Sequence, residues 1–242
     1  MWKDRLVDGR AAPVAVVIAA MSEEVDAFAD LVGGVPAAYG PVGGHDGHQL
    51  LAFDGATVAV QRSGIGFTNA TAAVAHAFHD FGAIPVISVG TAGGLMHGVA
   101  IGDVVVGDRY VNLNADATAF GYALGQVPGM PTGYAPDDRM VALALASGTQ
   151  HPLRSATIGS SEVFVTEERA RVLRAAFPTV AAVDMESAAI AQFAHVHAMP
   201  FVSVRGISDL CAPDGDEFRL HLDDAAARAA EVVHDVVRGL AA

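Results

Sequence analysis

The 242-residue chain has little cysteine, little positive charge and no long apolar run, and each shortage removes a class of protein. Cys211 is the single cysteine, which excludes an intramolecular disulfide and a cysteine-based zinc site. Only 14 Lys and Arg face 27 Asp and Glu, and the net charge of −13 argues against nucleic acid or an anionic membrane as main partner. Charged residues make up 17% and apolar ones 52%, which excludes a disordered chain and fits a large core. No uninterrupted apolar stretch approaches the roughly 20 residues needed to span a bilayer. The opening "MWKDRLVDGRAA" mixes acids with bases ahead of the short run "PVAVVIAA", unlike a secretory signal. A soluble, cytoplasmic protein is expected.

What the chain does contain is an alternation of short β-branched runs with alanine-rich ones. Strands are expected at 14–19, 50–53, 57–62, 84–90, 101–108, 156–161, 180–183 and 200–208. Helices are expected at about 22–32, 67–81, 137–147, 166–177, 186–198 and 223–240. Several strands lack polar alternation, as strands covered on both faces do. The order predicts one α/β domain with a central mixed twisted sheet and helices on both sides. No Ser/Pro-rich linker or internal repeat divides the chain. The longest irregular stretch, 109–136, holds "GYALGQVPGMPTGY", and a loop that long is usually functional or meets a partner.

In open α/β sheets, ligands bind beyond the carboxyl ends of strands, so polar residues just after apolar strands matter most. Five places qualify. In "AMSEEVDAF", Ser22, Glu23 and Glu24 read most simply as a helix N-cap and first-turn acids. "SGIGFTNATAA" lacks both the dinucleotide fingerprint and the Walker lysine, so it reads as a tight turn capped by Thr68 or Asn69. "VISVGTAGGL" lets backbone approach a ligand closely. "VDMESAAIA" places Asp184 and Glu186 in a run that should be buried, where an unpartnered carboxylate is costly. "VRGISDLC" puts Arg205, Ser208 and Asp209 at a strand end, and the buried arginine needs a carboxylate such as Glu186. Glu24, Glu186 and Asp209 thus lie at the ends of three strands that one pocket could collect.

These stretches, with "IGDVVVGD" and "TAFGYALGQVPGMP", follow the order and spacing of a known family. From about residue 14 onward the chain resembles the 5′-methylthioadenosine/S-adenosylhomocysteine nucleosidases of the nucleoside phosphorylase superfamily. Residues 1–13 precede the resemblance as an N-terminal extension without an assigned role, and 14–242 form the nucleosidase domain. The resemblance implies a nucleoside phosphorylase-like fold and hydrolysis of the N-glycosidic bond of 5′-thio-substituted adenosines. It implies no metal, no cofactor and a homodimer. It makes Asp209 the acid at purine N7, oriented by Ser208, and Glu24 the base that activates water, with Thr91 and Arg205 ordering the water and its neighbours. Glu186 would hold the ribose hydroxyls and Met185 would pack on the sugar, with Met21 also at the substrate. Phe164 would stack on adenine and Val165 would offer backbone hydrogen bonds to its edge. Phe120 and Pro128 would reach into the 5′-substituent pocket of the other subunit.

Departures from the family pattern bear on the 5′ end of the substrate. The loop after Asp209, "LCAPDGDEF", is short and leaves Phe218 the only aromatic near that position. "YVNLNADATAF" is longer than usual and lacks the family's His-Asp pair. Other 5′-modified adenosines, such as aminodeoxyfutalosine or 5′-deoxyadenosine, are therefore alternative substrates. A purine nucleoside phosphorylase is the nearest rival activity. It would need cations for phosphate, whereas Ser88 stands where the superfamily's purine phosphorylases carry arginine, leaving Arg62 as its support. A nucleoside-binding protein without catalysis would not need both Glu24 and Asp209. The histidines of "HVH" (195–197) would face different sides of a helix, and those of "HDGH" (45–48) read as solvated or capping, so no metal is expected.

Overall fold

A computed structural model describes residues 6–7, 10–34, 48–212 and 215–242. Eight strands form one mixed sheet: β3 (Val16–Ala19), β4 (Gln49–Phe53), β5 (Ala56–Arg62), β6 (Val86–Gly94), β7 (Val104–Asn112), β8 (Leu153–Ser160), β9 (Val180–Asp184) and β10 (Phe201–Asp209). A small antiparallel ribbon, β1 (Leu6–Val7) and β2 (Arg10–Ala11), precedes them. The sheet order is β10-β7-β8-β9-β6-β3-β5-β4, and β10 also pairs with β6. That extra pairing closes five strands on themselves, a feature the strand pattern alone does not reveal.

Parallel pairing of β6 with both β3 and β10 places it at the centre, and every residue of β6 and β10 is buried. This two-sided cover explains their continuous apolar runs. On one face lie α1 (Ser22–Leu31), α3 (Asp138–Leu145) and α6 (Asp216–Ala241), contributing to a core with Val17, Val89 and Val204. On the other lie α2 (Phe67–Phe81) and α5 (Ser187–Val196), packed with Ile18, Val86 and Ile207. A smaller cluster under α4 (Glu167–Ala176) includes Leu95, Val165 and Leu173. In α2 the buried residues Ala70, Ala73, Val74, Ala77 and Phe81 form the stripe a 3.6-residue period demands. Gly206 lets α6 lie directly on β10, because a Cβ there would come 2.0 Å from the Ala225 carbonyl oxygen.

The α/β architecture with a mixed sheet covered on both faces agrees with the sequence expectation, and the boundaries need correction. α6 starts at Asp216 instead of 223, because Asp216 and Glu217 suit a helix N-terminus before the apolar stripe begins at Ala225. β6 continues through the small residues to Gly94 and pairs antiparallel with β9 at Gly93 and Gly94. β7 runs to Asn112, paired with β8, so the irregular stretch starts later than 109. Within it a single 3-10 turn covers Thr118–Phe120. Among the described residues, no helix is long and apolar enough to cross a membrane.

Candidate active site

Glu24 is buried in the first turn of α1, where water-exposed acids are the norm. The N-cap is Met21, not Ser22. Glu24 Oε2 accepts the backbone N–H groups of Ala20 at 3.0 Å and Met21 at 3.1 Å, closing the helix start. Its Oε1 faces β6, accepting from Thr91 N at 2.9 Å and Thr91 Oγ1 at 3.0 Å. One carboxylate oxygen of Glu24 thus caps the start of α1 while the other is held by Thr91 of β6. Burial pushes the Glu24 pKa up, opposed by the Arg205 charge and the hydrogen bonds from Thr91 and Met21.

The two carboxylates of "VDMESAAIA" separate into distinct roles. Asp184 receives Arg205 Nε at 2.8 Å, the Ser160 and Ser187 hydroxyls, and the Ser187 backbone N–H at 3.3 Å. It joins β8, β9, β10 and the start of α5 in one buried network. Arg205 is thus tied first to Asp184 and, through Nη2, to Ser88 Oγ at 2.8 Å, with Glu186 Oε2 at 3.8 Å. The expected Arg205–Glu186 ion pair is present, and Asp184, at the strand end, is a second and closer carboxylate partner. Arg205 Nη1 is buried with no hydrogen-bond partner among the described residues. Glu186 Oε1 accepts the Gly66 N–H at 3.0 Å, so Gly66, not Thr68 or Asn69, ends the "SGIG" turn as the N-cap of α2. Burial, reinforced by the Asp184 charge and offset by Arg205, raises the Glu186 pKa to about 8.

Asp209 ends β10. Its Oδ1 accepts the Cys211 N–H at 2.9 Å, and its Oδ2 lies 2.9 Å from Ser208 Oγ. Burial raises the Asp209 pKa against those two hydrogen bonds, and the Glu217 charge adds to the rise. Glu217 is itself placed by accepting the Leu210 N–H at 2.7 Å.

A cavity of about 130 Å³ opens onto these groups. Met21, Glu24, Thr91, Met185, Glu186, Ser208 and Asp209 line it together with Phe164, Val165 and Phe218. Phe164 and Phe218 meet edge-on, ring centroids 5.9 Å apart.

Comparison with known proteins decides the family. The model of the phosphorylase superfamily matches residues 14–238. A 5′-methylthioadenosine/S-adenosylhomocysteine nucleosidase of Marinomonas sp. (strain MWYL1) is 36% identical over 192 residues, spanning 77% of this chain and 83% of that protein. The chain belongs to the 5′-methylthioadenosine/S-adenosylhomocysteine nucleosidase family. The crystal structure of the Neisseria meningitidis nucleosidase in complex with methylthio-immucillin-A is similar at a TM-score of 0.85 and 35% identity, covering 93% of this chain and 98% of that one. The native futalosine hydrolase of Helicobacter pylori strain 26695 is similar at 0.85 and 26% identity, covering 94% and 98%.

For a member of this nucleosidase family, most of the anticipated residues converge. Arg205 does not line the cavity but pairs with Asp184 and Glu186, which do, and Phe120 and Pro128 are not among the lining residues. Phe120 is 84% exposed on its 3-10 turn. Sequence reasoning missed Ile65 and Val163, which also line the cavity, and Glu162, whose Oε1 accepts the Phe67 N–H at 2.8 Å. Ile65 could have been found, since it sits inside the "SGIG" turn already singled out. His195 lies beside Tyr134 while His197 stacks on Phe193 at 4.2 Å, consistent with different helix sides. Of "HDGH", residues 45–47 lie outside the described residues.

Proposed function

We propose that the chain hydrolyses the N-glycosidic bond of 5′-methylthioadenosine and/or S-adenosylhomocysteine, giving adenine and the 5′-thioribose. The observation that carries this reading is the pair of buried carboxyl groups, Glu24 and Asp209, brought from different elements to one cavity with both pKa values raised. Asp209, whose pKa burial raises, acts in its protonated form and gives its proton to purine N7 as the bond to C1′ breaks. Adenine then leaves neutral, and C1′ becomes oxocarbenium-like. Glu24 takes a proton from water as its oxygen bonds to C1′, and solvent later returns that proton to Asp209. The separation of an acid and a base by the sugar parallels inverting glycosidases. A raised base pKa suits work near neutral pH.

Glu186 holds the ribose hydroxyls and Met185 packs beneath the sugar. Phe164 stacks on adenine with Phe218 at its edge, and the Val165 backbone reads the purine edge. Exposed Phe120, with Pro128, completes the 5′ pocket of a second copy in a homodimer. No metal or cofactor enters these steps. The phosphorylase alternative is disfavoured because, among the described residues lining the cavity, none is Lys or Arg. Arg62 donates to Ser22 Oγ at 3.0 Å, and Ser88 is engaged by Arg205.

The likeness to a futalosine hydrolase leaves the 5′ substituent as the variable to test. A panel of adenosines carrying methylthio, homocysteinyl, hydrogen or aminodeoxyfutalosine-type groups at C5′, with free base measured, checks it. The expected result is the highest kcat/KM for a 5′-thio substrate; preference for a non-thio substrate would overturn that assignment.

A further inference from the structure

A second cluster of ligating side chains lies away from the cavity, between the edge strand and the far half of α2. We propose that His48, His76 and Asp80 form a binding site for a divalent first-row transition-metal ion, with Zn²⁺ the ion that the donor set and spacing suit best. His48 directly precedes β4, and its side chain is 3% exposed. Neither of its ring nitrogens has a hydrogen-bond partner among the described residues. A buried imidazole left in that state calls for a ligand. His76 and Asp80 stand one turn apart on α2 and so share a helix face.

The spacing approaches that of a coordination sphere. Asp80 Oδ2 lies 3.5 Å from His48 Nε2 and 3.7 Å from His76 Nε2, and one ligand atom from each residue can be chosen so that all lie within 4.8 Å. Tetrahedral zinc with ligands at about 2.0–2.2 Å holds neighbouring donor atoms roughly 3.3–3.6 Å apart. Asp80 Oδ1 is 2.8 Å from His79 Nδ1, an outer hydrogen bond that turns Oδ2 inward. Two imidazoles and a carboxylate leave a fourth position for water. An ion there would clamp α2 to the sheet edge, far along the helix from the Gly66 N–H that holds Glu186. Sequence reading missed the site because its other two ligands come from α2, not from "HDGH".

The test uses the full chain stripped with a chelator, then dialysed against micromolar Zn²⁺, with bound metal counted by mass spectrometry. About one Zn²⁺ per chain is expected, with visible d–d bands of tetrahedral Co²⁺ when cobalt replaces it. His76→Gln and Asp80→Asn, both at partly exposed helix positions that tolerate change, should each weaken binding at least about tenfold. His197→Gln, outside the cluster, should bind as the parent does. Substoichiometric binding by the folded parent chain, or binding unchanged in both cluster variants, would overturn the proposal. Adenine release by the stripped enzyme reports separately on the catalytic reading.

Discussion

A methyl group placed at Gly90 would stand 2.5 Å from Glu24 Oε1, so Gly90→Ala must push the carboxylate off its Thr91 hydrogen bonds. We expect kcat to fall by about tenfold or more with a far-ultraviolet spectrum unchanged, since proton transfer depends on placement within hydrogen-bond reach. Asp209→Asn removes the proton donor while keeping shape. It should lower kcat by about 10²–10⁴ while nucleoside affinity, measured by calorimetry, stays within a few-fold. Turnover at the parent rate would sink Asp209 as the acid. Glu24 and Asp209 were legible as residues because each follows an apolar strand. The work of Asp184 was not legible, because nothing local distinguishes a carboxylate that caps a helix from one that neutralises a distant arginine.

At the scale of elements, Asp184 is the junction. Through Arg205, Ser160 and Ser187 it couples β10, β8 and α5, and Ser187 Oγ continues the chain to Ser203 Oγ at 2.7 Å. Asp184→Asn leaves the Arg205 charge buried and poorly compensated, which should cost about 3–5 kcal/mol in urea unfolding. A loss below about 1 kcal/mol would mean that Glu186 and Ser88 suffice. Strand and helix order were readable from periodicity, since the alternation of apolar runs carries it. The early start of α6 was hidden in the polar stretch before Ala225. It sets Phe218 in a helical turn against Phe164, at the cavity. Closure of the sheet by the β6–β10 pair depends on contacts far apart in sequence, and no local pattern encodes it.

For the whole molecule, burying three carboxyl groups with raised pKa values ties stability to pH. In the unfolded chain Glu186 loses its proton near pH 4, whereas in the folded chain it keeps it up to about 8. Between those values the folded state binds more protons, so this contribution is complete at low pH and is lost as pH rises through about 8. Glu24 and Asp209 act in the same direction. Urea midpoints from pH 5 to 9 should therefore fall less steeply for Glu186→Gln than for the parent; parallel curves would mean that Glu186 ionises normally. The central claim concerns water as the nucleophile. It is tested most directly by incubating the enzyme with 5′-methylthioadenosine in phosphate-free buffer made with ¹⁸O-water and weighing the sugar product. The account predicts free adenine and a thioribose carrying one ¹⁸O at C1′; adenine formed only after phosphate is added, with a sugar 1-phosphate, would contradict it.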